Sequence, residues 1–154
     1  MIRIIPNFIS NDLIDELITF AGNYPSAPWP TGIPNLTFTT SINHKVTNKI
    51  ASSIGKLGNV ELLSYKEGSY AVPHIDDYSW GSDFQWEYTG ILLASEPEEY
   101  VGGEFVLDKF NMVIKPPKGT LIVFPAGTEC HEYVHSVNNI TSGTRNVIVY
   151  RFIK

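Results

Sequence analysis

The chain contains four histidines, His44, His74, His131 and His135, and three of them fall from residue 74 onward, beside acidic residues or glycine turns. In His74-Ile75-Asp76 the two polar residues are separated by one, so in an extended segment an imidazole and a carboxylate project from the same face. Pro73 before the pair and Asp77 after it suggest a strand running into a loop, a common place for site residues on a rigid scaffold. One carboxylate and two imidazoles on one face of a metal suit ferrous oxygen activation, because the remaining coordination positions stay open to a co-substrate and dioxygen. His131 and His135 both qualify as the third donor. Four residues apart, they share one face of a strand, and alternation does not separate them. The single cysteine, Cys130, can form neither an internal disulfide nor a cysteine-rich metal site, which leaves histidine and carboxylate as donors.

These residues need a scaffold. Ser10 stands where an N-cap would, Asp12 follows in the first turn, and Leu13, Ile14, Leu17, Ile18 and Ala21 recur at helical spacing up to a stop at Gly22-Asn23. The four prolines between Tyr24 and Asn35 make that stretch a loop, and Val46, Ile50, Ile54 and Leu57 predict a second helix over Asn43 to Leu57. From Val60 the pattern turns to short runs of Val, Ile, Phe and Tyr between Gly, Pro and Asp. The expected strands are Val60–Tyr65, Tyr88–Ala94, Gly103–Leu107, Phe110–Lys115, Leu121–Phe124, Glu132–Val137 and Arg145–Ile153. Such a series predicts an antiparallel sandwich or jelly roll, with the two helices against one outer face. The length fits a single domain over 1–154, with a helical part to about residue 58 and a β core from about residue 59.

Three blocks of the chain together resemble the prolyl 4-hydroxylase type of 2-oxoglutarate-dependent dioxygenase, from about Glu61 to the C-terminus. The first is Tyr65, Gly68, Tyr70 and His74-x-Asp76; the second is Thr89-Gly-Ile-Leu-Leu93 followed by Gly102-Gly103-Glu104-Phe105. The third is Pro117, Gly119, Phe124-Pro125, His135-x-Val137 and Gly143-x-Arg145, with Arg145 ten residues after His135. The resemblance implies a double-stranded β-helix, iron(II) held by His74, Asp76 and His135, and 2-oxoglutarate and dioxygen as co-substrates, with ascorbate in support. It implies that Arg145 binds the far carboxylate of 2-oxoglutarate, a task suited to a planar fork that stays protonated. Tyr65 adds a bond to the same group, and Thr89 lines the same pocket. The step to Arg145 favours His135 over His131. The chain departs from the pattern at Leu93, where many members have a tyrosine inside the pocket, and in a long loop with an extra histidine before His135. The implied reaction is hydroxylation, since Asp76 occupies the position that halogenating relatives leave to chloride, and a peptidyl proline is the first substrate by resemblance.

Several residues carry competing readings. Arg151 shares the strand face of Arg145, and the pair has the Arg-x5-Arg spacing of alkylation-repair dioxygenases, whereas the ten-residue step fits the hydroxylase type better. Tyr70 is equally a core aromatic, and His44, within the expected second helix, is most simply a surface residue. The segment from Asp77 to Tyr88 is rich in aromatic residues and glycine and could form a lid over the metal site. A net charge of −5 argues against nucleic acid as partner and so against the alternative of a nucleobase-oxidising enzyme. A non-catalytic jelly roll binding metal or sugar is the other alternative; it would leave Arg145 and Tyr65 without a shared ligand. No apolar run reaches the roughly 20 residues of a membrane helix, and acidic residues interrupt the N-terminus where a signal peptide would be apolar, so a cytoplasmic location is expected. Hydrophobic residues at 43% leave enough apolar surface for a core, so the chain is expected to fold and to act on a peptide or small molecule.

Overall fold

The computed structural model describes residues 1–77 and 85–154. In chain order the elements are β1 (Arg3–Ile5), α1 (Asn11–Ala21), β2 (Ala27–Pro28), β3 (Leu36–Thr39), α2 (Lys45–Ala51), β4 (Lys56–Tyr65) and β5 (Ala71–His74). There follow β6 (Trp86–Leu93), β7 (Tyr100–Gly102), β8 (Phe105–Leu107), β9 (Met112–Ile114), β10 (Leu121–Pro125), β11 (His135–Val137), β12 (Ile140–Gly143) and β13 (Arg145–Ile153). Seven strands form a large sheet in the order β1-β10-β6-β13-β4-β3-β2, and β5-β11-β8-β9 form a smaller one. The strands β12 and β7 make a separate two-stranded pair.

Alternation along β13 shows how the layers are built. Val147 and Val149 point into a core shared with Leu63 and Ile91 of the large sheet and with Phe105, Leu107 and Val137 of the smaller one. Ile148, Tyr150 and Phe152 point the other way, into a second core with Ile14, Leu17 and Ala21 of α1 and Ala51 of α2. The large sheet is therefore buried on both faces, and its central strands read as continuous apolar runs for that reason. The jelly-roll expectation, with both helices against the outer face, is borne out.

Several elements depart from expectation. α2 ends at Ala51, well before Leu57, because the Ser52 and Ser53 hydroxyls donate to the carbonyls of Asn48 (2.8 Å) and Ile50 (2.7 Å) and Lys56 onward pairs with β13. Val46 is then exposed, and Thr47 and Ala51 are the buried residues of the helix. His44 is no surface residue: it caps α2, its Nδ1 accepting from the Thr47 N–H at 3.3 Å and its Nε2 facing Glu16 at 3.2 Å, with the ring buried beside Phe20. Asp108–Phe110 and His131–Tyr133 form short 3₁₀ turns where strands were expected to start. The N-terminal part also supplies β1, β2 and β3 to the large sheet, and Tyr70 is partly exposed, outside the core.

Candidate active site

β5 ends on His74 and β11 begins on His135, and the antiparallel register sets these two residues directly opposite each other. Their ring centroids are 4.3 Å apart. Asp76 follows two residues beyond β5, where its backbone carbonyl accepts the Gly127 N–H at 2.7 Å. One donor atom from each of His74, Asp76 and His135 lies within 4.8 Å of the others. Nε2 of His74 is 3.6 Å from Asp76 Oδ1, and Nε2 of His135 is 3.7 Å from Oδ2.

The backbone sets the tautomers. Nδ1 of His74 meets the Val72 carbonyl at 2.7 Å and Nδ1 of His135 meets the Tyr133 carbonyl at 3.0 Å. A carbonyl can only accept, so each Nδ1 carries a proton, and each Nε2 is the ring nitrogen that faces Asp76. The Phe105 and Phe124 rings pack against the His135 ring, with centroids at 5.6 and 4.7 Å. Burial pushes His135 down to about 4, against which Asp76 pulls upward, so the imidazole is neutral near neutral pH. Burial would raise Asp76, but Arg151, His135, His74 and the Thr89 hydroxyl hold it well below the usual carboxylate range. The group thus offers one carboxylate and two imidazole nitrogens, the donor set that fits a divalent first-row metal. His131 lies outside it, on the exposed 3₁₀ turn.

The group opens on a cavity of about 540 Å³ between the sheets, also lined by Tyr65, Thr89, Arg145 and Arg151. Arg145 opens β13 opposite Tyr65 of β4, its guanidinium carbon 5.1 Å from the Tyr65 ring centroid. It is 1% exposed, and its Nε and Nη1 have no hydrogen-bond partner among the described residues. Burial pushes the Tyr65 and Tyr100 phenols up, with Arg145 opposing in both. A buried cation with orphaned donors is costly unless an anion completes it, so this end of the cavity fits a carboxylate. Leu93 lies in the core between the sheets. Residues 78–84 of the expected lid lie outside the described residues, while Asp77 and Trp86 line the cavity.

Thr89 also lines the cavity, but its hydroxyl proton goes to Asp76 Oδ2 at 2.8 Å. Arg151 forms an ion pair with that oxygen, donates to Thr89 Oγ1 at 3.1 Å and lies 3.9 Å from Glu61 Oε2. The ten-residue step from His135 points to Arg145 and not to Arg151, and no motif marks Glu61. Strand alternation from Arg145 does place Arg151 on the cavity face.

A double-stranded β-helix with a His-Asp-His group inside the barrel defines a non-haem metal protein of the jelly-roll class. Residues 60–153 match the model of the 2OG-Fe(II) oxygenase superfamily, and the chain belongs to that family. Iron(II) and 2-oxoglutarate are accordingly its cofactors, with dioxygen the family's co-substrate. A PKHD-type hydroxylase of Prochlorococcus marinus is 36% identical over 88 residues, covering 56% of this chain and 37% of that protein. Another from Acaryochloris marina is 30% identical over 104 residues, covering 66% and 44%. The chain therefore spans less than half the length of these curated relatives. Among solved structures, the viral collagen prolyl hydroxylase of Paramecium Bursaria Chlorella virus-1, in its 2OG complex, superposes with a TM-score of 0.77 at 24% identity over 99% of this chain and 96% of that one. HygX of Streptomyces hygroscopicus, with nickel and 2-oxoglutarate bound, gives 0.69 at 10% identity over 97% and 81%. The recognition from three sequence blocks is borne out. Among the described residues no helix is long and apolar enough to cross a membrane.

Proposed function

We propose that this protein is a hydroxylase that oxidises a C–H bond of a peptide or small molecule, with His74, Asp76 and His135 holding iron(II) and Arg145 with Tyr65 holding the far carboxylate of 2-oxoglutarate. The observation that carries this reading is Arg145, wholly buried with two unpartnered donor nitrogens, Nε and Nη1, in the cavity that the His-Asp-His group also lines. A structural or merely metal-storing barrel has no use for such a cation, whereas a dicarboxylate co-substrate satisfies it.

When bound, iron(II) with 2-oxoglutarate and dioxygen supplies the oxidising power, releasing succinate and carbon dioxide. The chain's own residues bind, orient and shield. Val72 and Tyr133 carbonyls keep the lone pairs of the two imidazoles aimed at one point. Arg145 and Tyr65 fix the co-substrate's distal end, and the apolar residues Leu63, Ile91, Val147 and Val149 between the two ends keep water from the reacting region. Asp76 fills the third ligand position with a carboxylate, which directs the outcome to hydroxylation.

Trp29, Ile33, Phe38, Val72, Ile75 and Trp86 add an apolar, aromatic lining on which a proline-containing segment could rest. The prolyl hydroxylases among the similar structures support peptidyl proline as the first substrate to try. The test is turnover without substrate. Purified protein given iron(II), ascorbate, oxygen and 2-oxoglutarate should form succinate slowly, and Asp76→Ala should abolish it. Undiminished succinate in the variant would refute the ligand set. Mass spectrometry of prolyl peptides after the same incubation then tests the substrate class.

A further inference from the structure

The two oxygens of Asp76 are treated differently by the residues around them. Oδ2 takes the Thr89 hydroxyl proton at 2.8 Å and the ion pair with Arg151. Oδ1 faces His74 Nε2 at 3.6 Å and receives no hydrogen bond from the described residues. Arg151 is itself fixed: Nη1 donates to Thr89 Oγ1 at 3.1 Å, and Nη2 lies 3.9 Å from Glu61 Oε2. The Asn59 amide donates to the other Glu61 oxygen at 3.2 Å. These partners stand on three adjacent strands of the large sheet, since β13 places Arg151 opposite both Thr89 of β6 and Asn59 of β4.

A carboxylate with both oxygens free can grip a metal through both and take two coordination positions. Held on one oxygen, it takes one. For an ion with six positions and three protein ligands, that difference decides whether three positions or two remain for other ligands. We infer that Arg151, together with Thr89, is a positioning residue that commits Asp76 to the metal through Oδ1 alone, and that Glu61 serves to hold Arg151 in place. The inference rests on the assignment of His74, Asp76 and His135 as metal ligands.

The experiment uses Co²⁺ alone, added to the full chain, with affinity read by titration and coordination read from the cobalt visible absorption. Arg151→Met removes cation and donor together; Thr89→Val removes the second donor at nearly constant volume and no change in charge. Both variants should change the cobalt spectrum in the same sense and weaken Co²⁺ by about 10- to 100-fold, the usual scale for losing a group that orients a ligand. Arg151→Lys should fall between them and the wild type. An unchanged spectrum in both variants would overturn the inference. So would tighter Co²⁺ binding in Arg151→Met with Thr89→Val silent, because Arg151 would then act only as a repelling charge. Should Arg151→Met fail to fold, Thr89→Val decides alone. Co²⁺ binding that survives His74→Ala at full affinity is a different failure, of the ligand assignment itself.

Discussion

Arg145 makes the strongest unmet demand of any side chain described: fully buried, stacked beside Tyr65, and without a partner for Nε and Nη1. Replacing it by lysine keeps the charge and loses the paired fork. Arg145→Lys should therefore weaken 2-oxoglutarate by about 2–3 kcal/mol while leaving metal affinity unchanged. Calorimetric titration of each ligand checks this, and equal co-substrate affinity in the variant would remove Arg145 from its proposed role. This residue and the His74-x-Asp76 pair could be read from the chain because their meaning lies in short spacings. Arg151 could not. Its partner Asp76 comes from the loop after β5, and only the folded sheet brings the two together with Thr89. Nor could the sequence choose between His131 and His135 by alternation, because His131 is not on a strand at all.

Among the elements, β13 was legible to the residue because a long apolar run in a central strand has few alternatives. The short strands β3, β5, β7 and β12 were not, since three or four residues carry too little periodicity and owe their conformation to partners across the sheet. The end of α2 was missed because Leu57, at helical spacing after Ile50 and Ile54, belongs to β4 and pairs with Phe152 of β13. The β12–β7 pair depends on Gly143, whose φ of +78° favours glycine and whose added Cβ would sit 2.1 Å from the Glu99 carbonyl oxygen. That collision is with backbone and cannot be relieved by a rotamer. Gly143→Ala should cost about 2–4 kcal/mol, from strained φ and the displaced strand. Denaturant unfolding measures it, and a loss below the experimental error would show that this strand pair tolerates displacement.

For the molecule as a whole, the buried histidine makes acid a threat. His135 takes its proton at an ordinary value of 6.5 in the unfolded chain but only at about 4 in the folded metal-free one, chiefly through burial. Its folded value is depressed, so the stability it is associated with is complete above 6.5 and is lost as pH falls toward 4, when the unfolded chain binds a proton the folded one refuses. The loss across that window is on the order of 3 kcal/mol. Asp76, also held low, adds to it at more acidic pH. Metal-free protein should show its unfolding midpoint dropping between pH 6.5 and 4, and His135→Gln should flatten that part of the curve; a slope unaltered in the variant would trace the acid sensitivity elsewhere. The two-sided large sheet has one more consequence. Along β13 every second letter is written for a different reader: Arg145, Val147, Val149 and Arg151 address the cavity, Ile148, Tyr150 and Phe152 address the helices. A single inserted residue just before Arg145 would exchange the two messages, presenting arginines to α1 and aromatic rings to the metal group. Length in the β12–β13 turn is therefore under tighter constraint than the identity of the residues in it.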